Sequence, residues 1–199
     1  MSNNLKLYNG KTIELIKDFI EAHPEEEKTR KTIDIGQTIR KQGYAKMEQL
    51  LELVKWKFPI SIRHVNFPNN SEDDVKVLTS LALKESYSDS QRIRILLGLT
   101  GVKVRMASAI LTLIFPNSFG TFDVNAREAL ESLDLINKDE LSGFNLQDYL
   151  TYLILIRKIS EHIHCSPRDV DRALYYYGRH LKKQCHIDGN CPICLKVDN

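Results

Sequence analysis

Long apolar runs are missing from these 199 residues. No stretch approaches the roughly 18 uninterrupted apolar positions that a spanning helix requires, so no membrane partner is expected. Glycine and proline are few, nine and six, which excludes a repetitive or linker-dominated chain. Met1-Ser2-Asn3-Asn4 lacks the charged-then-apolar order of a secretory leader. Charge of one sign is not in excess: 28 Lys and Arg against 26 Asp and Glu leave a formal +2. Any basic surface must therefore come from local sorting of charge. Cysteine is scarce and uneven, with Cys165 alone and Cys185, Cys191 and Cys194 within the last fifteen residues. A secreted disulfide framework would spread its pairs through the chain. A terminal cluster with a C-x-x-C step fits a metal or cluster knot in a reducing cytosol, so a cytoplasmic location is expected.

What is present is ordinary globular composition, 42% hydrophobic and 27% charged, which excludes a wholly disordered chain. The length suits one domain, or two small lobes sharing a core. Period-two alternation is nearly absent, and the pattern predicts an all-α protein. Helices are expected over Lys11–Ala22, Ala45–Trp56, from Ser71 to about Ser86, Gln91–Leu97, Val104–Ile114, Val124–Leu130, Asn145–Ile159, and from Ser166 to about Lys183. Ser71 with Asp74 reads as a capping box, and Ser166-Pro167-Arg168-Asp169 as a cap with proline at the first helical position. Glu25-Glu26-Glu27 and the basic residues after them read as a solvated helix or link.

The informative segment runs from Gly98 to Leu111. A short helix ends at Gly98, a tight turn passes through Thr100, Gly101, Val102 and Lys103, and a new helix begins near Val104. A glycine in such a turn permits positive φ or close approach of another backbone. The free N–H groups at the start of the second helix form a site suited to a phosphate oxygen. Arg92, Arg94, Lys103 and Arg105 surround the turn, and no Asp or Glu falls between Gln91 and Leu111.

This segment resembles the helix-hairpin-helix element of the DNA base-excision glycosylases related to endonuclease III and 8-oxoguanine glycosylase. The stretch Phe115-Pro116-Asn117-Ser118-Phe119-Gly120-Thr121-Phe122-Asp123-Val124-Asn125 resembles that family's loop leading to its essential aspartate. Asp123 lies 18 positions after Arg105, the offset between the family's lysine position and that aspartate. Two departures stand out: Lys103 occupies the hairpin's usual second glycine, and Arg105 the position of the Schiff-base lysine. A guanidinium stays protonated and cannot act as an amine nucleophile.

The resemblance implies two helical lobes with an active-site cleft between them. A central lobe would run over about 45–132 with the hairpin at 91–115, and a second would combine 1–44 with 133–199. It implies a monofunctional glycosylase that hydrolyses the N-glycosidic bond of a damaged or modified base in double-stranded DNA, acting as a monomer and nucleoid-associated in a bacterium. Asp123 would stabilise the sugar cation and orient water, with Arg105 beside it; its plainer role is an N-cap for the following helix. Gly98, Thr100, Gly101, Val102, Lys103 and Arg105 would meet the phosphate backbone, with a monovalent cation on the hairpin carbonyls. A flipped base needs aromatic walls and a few polar groups. Trp56, Lys57, Asn66 and Asn125 are candidates, although Trp56 also reads as the end of a core helix. No cofactor is required for catalysis. The terminal cysteines resemble the family's iron–sulfur loop with one ligand short. Cys185, Cys191 and Cys194 with His186 suit structural zinc, an iron–sulfur cluster or free thiols; Cys165 and His180 are further candidates for a fourth ligand. The rival function is a non-catalytic helix-hairpin-helix module that binds DNA or a partner, and an RNA or phage-modified substrate is a third reading.

Overall fold

The computed structural model describes residues 10–58 and 69–182. Those residues form nine α-helices and no strand, and none of the helices is long and apolar enough to cross a membrane. The helices are α1 (Gly10–Ala22), α2 (Glu27–Gln42), α3 (Met47–Lys57), α4 (Glu72–Ala82), α5 (Asp89–Leu96), α6 (Val104–Ile114), α7 (Val124–Ser132), α8 (Leu146–Ile163) and α9 (Pro167–Leu181).

Helix α6 is the centre. Every residue in it except Arg105 is buried, as its apolar run predicts, and α2, α3, α5 and α8 pack around it. Helix α9 packs against α7, α1 and α8. One contiguous apolar core links these elements, from Ile13 and Phe19 through Ile110 to Leu174.

Local signals set most boundaries. Ser71 accepts from the Asp74 N–H and Ser166 from the Asp169 N–H, each within a complete capping box. Ser88 with Gln91 and Asn145 with Asp148 do the same for α5 and α8. Helix α4 stops at Ala82, short of the expected Ser86, because a second capped helix starts at Asp89.

Two expectations are corrected. Of the two readings of the acidic run the helix holds, since α2 starts at Glu27 and extends to Gln42 with Glu26 and Glu27 exposed, but Glu25 is not solvated: its side chain is 16% exposed and paired with Arg168. Helix α2 reaches the core with little apolar surface because Gly36 lies against α6. A Cβ there would come within 2.1 Å of the Leu113 carbonyl oxygen, so only glycine allows the approach. Arg92 does not join a basic surface at the turn. It is buried, its Nε donates to the Tyr87 carbonyl at 3.1 Å, and its guanidinium lies 5.0 Å from the Phe115 ring centroid.

Candidate active site

Three helix ends converge on one carboxylate. Asp123 is the N-cap of α7, and its Oδ1 accepts the Asn125 N–H at 2.9 Å. Its Oδ2 receives the ammonium of Lys57, the last residue of α3, in a close ion pair. Arg105, in the first turn of α6, places Nη2 3.7 Å from the same oxygen. Asp123 and Lys57 side chains are each 10% exposed. The capping and the buried-acid readings of Asp123 hold together, since one oxygen caps the helix while the other faces the two cations.

The chain before Asp123 is tied to α6 and α8. The Phe122 N–H donates to Ser108 Oγ at 3.0 Å, and Ser108 Oγ donates to the Arg105 carbonyl at 2.8 Å. The loop is thereby pinned to the first turn of α6. The Phe122 ring is fully buried among Phe144, Tyr149 and Tyr152. Gly120 passes so close to α8 that a Cβ would meet Ile156 at 2.3 Å, and the Tyr149 hydroxyl donates to the Gly120 carbonyl at 3.3 Å.

Asp123 opens onto a cavity of about 330 Å³, a size in the small-molecule range of ~300–1,000 Å³. Trp56, Phe58, Tyr175 and Tyr176 supply aromatic wall. The floor is an ionic network from α9 and the α1–α2 turn. Arg168 grips Glu25 with Nε at 2.9 Å and Nη2 at 3.0 Å, and reaches Asp171 with Nη1 at 2.7 Å. Asp171 also accepts from the Tyr152 hydroxyl at 2.7 Å, and Arg172 binds the His23 carbonyl at 2.7 Å and Glu25 at 3.3 Å. Two polar atoms of residues that line the cavity, Arg105 Nε and Thr121 Oγ1, are buried with no hydrogen-bond partner among the described residues.

Burial pushes the Asp123 carboxyl upward, but the Lys57 charge and hydrogen bond, the Asn125 N–H and the Arg105 charge outweigh it and hold it below the ordinary carboxylate value. The acid is therefore ionised at neutral pH. In a Lys57→Met variant burial loses its main opponent, so Asp123 should titrate at higher pH than in the parent. Carbon NMR of the labelled carboxyl measures this, and an unmoved titration would show that Lys57 does not set the acid's charge. Asp171 lies deeper. Burial raises its carboxyl despite Arg168, Tyr152 and the Thr121 N–H.

Of the residues singled out in the sequence, the structure brings Trp56, Lys57, Arg105, Asp123 and Asn125 to this cavity. Trp56 also does structural duty, donating from Nε1 to Thr29 Oγ1 at 2.9 Å. The turn lies between α5 and α6, with Gly98, Thr100, Gly101 and Lys103 exposed and Gly101 at φ +84°. Its shape is locked by Asn70, whose side chain accepts the Thr100 N–H at 2.7 Å and donates to the Thr100 carbonyl at 3.0 Å. The Val102 side chain is buried and its N–H donates to the Leu99 carbonyl at 3.1 Å, so this amide is engaged inside the turn. Helix α6 has no side-chain cap at Lys103.

The α9 face of the cavity was missed. Tyr175-Tyr176-Tyr177 reads from sequence as ordinary packing, yet Tyr175 and Tyr176 line the cavity while Tyr177 meets Phe19 at 5.3 Å. The signal that finds this face is the polar and aromatic stripe Arg168, Asp171, Arg172, Tyr175, Arg179 at helical spacing.

Asn66, Cys185, His186, Cys191 and Cys194 lie outside the described residues. Cys165, a candidate fourth ligand, is half-buried, with its thiol pushed up to about 11 by burial and the Asp169 carboxylate. It donates to the Ser166 carbonyl at 3.4 Å. This setting disfavours the thiolate that binds metal. Comparison of the chain with family models, curated proteins and solved structures finds no match.

Proposed function

We propose that the chain is a DNA glycosylase that hydrolyses the N-glycosidic bond of a damaged or modified base in duplex DNA. The observation that carries the reading is Asp123: a buried, ionised carboxylate that caps α7 on the wall of an aromatic-lined cavity. Breaking the bond builds positive charge on the deoxyribose, and a fixed carboxylate steadies it and orients water. The extruded base enters between Trp56, Tyr175 and Tyr176, with the Arg105 and Asn125 side chains as polar neighbours.

In this reading α5, the turn and α6 form a helix-hairpin-helix that holds a phosphate at the uncapped start of α6, and the cavity is the cleft between two lobes. Such contacts position the duplex without reading its sequence. Arg105 stands at the amine position and cannot form an imine, so hydrolysis leaves an abasic site. The protein would act as a monomer on DNA in the cytoplasm.

The test is a panel of duplexes, each carrying one lesion or modified base, read as alkali-labile sites. Release from at least one member is expected. Salt-sensitive DNA binding with no release across a broad panel would instead support a non-catalytic binding module.

A further inference from the structure

At the far end of α6 from Asp123, two arginines meet on one ring. Arg40 of α2 and Arg92 of α5 each place the guanidinium carbon 5.0 Å from the centroid of Phe115, the C-cap of α6. The neighbouring Phe119 ring lies 6.0 Å from Phe115 and carries a third guanidinium, Arg157, at 5.2 Å. Arg157 is neutralised, since it holds Asp89 with Nη1 at 2.5 Å and Nη2 at 3.3 Å. Arg40 and Arg92 have no carboxylate at ion-pair distance among the described residues.

Arg92 is the costly member of the pair. It is 9% exposed, and with Nε given to the Tyr87 carbonyl its two terminal nitrogens have no hydrogen-bond partner among the described residues. A buried charge is unfavourable unless it is paired. The C-terminus of α6 offers about half a negative elementary charge, which leaves most of the two positive charges uncompensated. The patch is also separate from the cavity. Phe115 follows Arg105 by ten positions, about 15 Å along the helix axis, and none of the three arginines lines the cavity.

We infer that Arg40 and Arg92 form a binding site for a phosphate monoester. The inference stands apart from the glycosylase reading. A planar guanidinium presents paired N–H donors that match phosphate oxygens. A phosphate monoester carries about −1.5 to −2 at pH 7, which matches two unpaired arginines; an internal phosphodiester brings a single charge. Stacking on Phe115 already limits the freedom of both side chains, so less is lost when they close on an anion. Two sources offer such a group: a small phosphorylated molecule, or the phosphorylated end of a DNA strand.

The experiment follows the Arg92 Nε–Hε resonance of the nitrogen-15-labelled full chain at fixed ionic strength. The bond to the Tyr87 carbonyl shields that proton from exchange with water. Inorganic phosphate should move the signal to saturation, and chloride should not. Arg40 is exposed, so Arg40→Gln should keep the fold, checked by circular dichroism, and weaken the phosphate response at least about tenfold. Arg40→Lys, which keeps the charge without the fork, should give a smaller loss. Lys41→Gln removes an exposed charge from the next position and should change the response less than about twofold. A hairpin duplex with a 5′-phosphate, and the same duplex without it, separate the sources. A response to the phosphorylated duplex alone assigns the strand end; a response to inorganic phosphate and to neither duplex assigns a small molecule. A signal unmoved by phosphate, moved as far by chloride, unchanged in Arg40→Gln, or moved equally by the two duplexes would overturn the site.

Discussion

If the proposed base release is found, replacing Asp123 with Asn should lower it by about 10²–10⁴-fold in single-turnover assays on the best substrate of the lesion panel. That factor corresponds to about 3–5 kcal/mol of lost transition-state stabilisation. The substitution is nearly isosteric, and its carbonyl oxygen can still accept the Asn125 N–H that Asp123 Oδ1 now takes. The helix cap is therefore kept and the charge alone is lost. Duplex binding, followed by fluorescence anisotropy at low salt, should hold within a few-fold, since the turn between α5 and α6 is untouched. An Asn variant that releases base at the parent rate would take Asp123 out of the chemistry. One that neither binds nor folds would be answered by Asp123→Glu, which keeps the charge and lengthens the side chain by one methylene.

The carboxylate was legible in the sequence, and the cavity it serves was only half so. Val104–Ile114 could be bounded to the residue because a dense apolar run meets Phe115-Pro116, and no competing signal intervenes. Asp123 could be found because its register to Arg105 is a local, countable distance. Helix α2 could not be delimited. Its inward face is Thr29, Thr32, Gly36 and Ile39, a stripe with little hydrophobic periodicity, which buries itself by close backbone approach instead. The charges on the cavity floor failed for a different reason. Glu25 and Arg168 are 143 positions apart, and each taken alone looks like a solvated surface residue. Only their pairing, which is tertiary, makes burial affordable. Lys57 falls between the two cases: its place beside an aromatic pair marked it for the pocket, but contact with Asp123 depends on how α3 meets α7.

That buried floor predicts the largest stability effect. Arg168→Met should cost about 3–5 kcal/mol, because it leaves Asp171 and Glu25 without the guanidinium that joins them. For a domain of this size the melting temperature should fall by about 10 °C. The loss has a sign in pH. Burial already raises Asp171 above its ordinary value with Arg168 present, and without Arg168 it must rise further. A carboxyl whose folded value lies above its unfolded one binds more protons in the folded state, so stability falls as pH rises between the two values. The variant should therefore be closest to the parent near pH 5 and furthest from it near pH 8, by urea unfolding at each pH. Arg172 still reaches Glu25 Oε2 at 3.3 Å, which should spare Glu25 part of the penalty and concentrate the pH dependence on Asp171. The double variant Arg168→Met, Asp171→Asn separates the contributions. If the pH dependence arises at Asp171, removing its charge should recover stability at pH 8 more than at pH 5. A deficit equally deep at both pH values, in the single and the double variant alike, would mean that Arg168 contributes through packing on Trp56, 5.1 Å from its guanidinium, and not through charge.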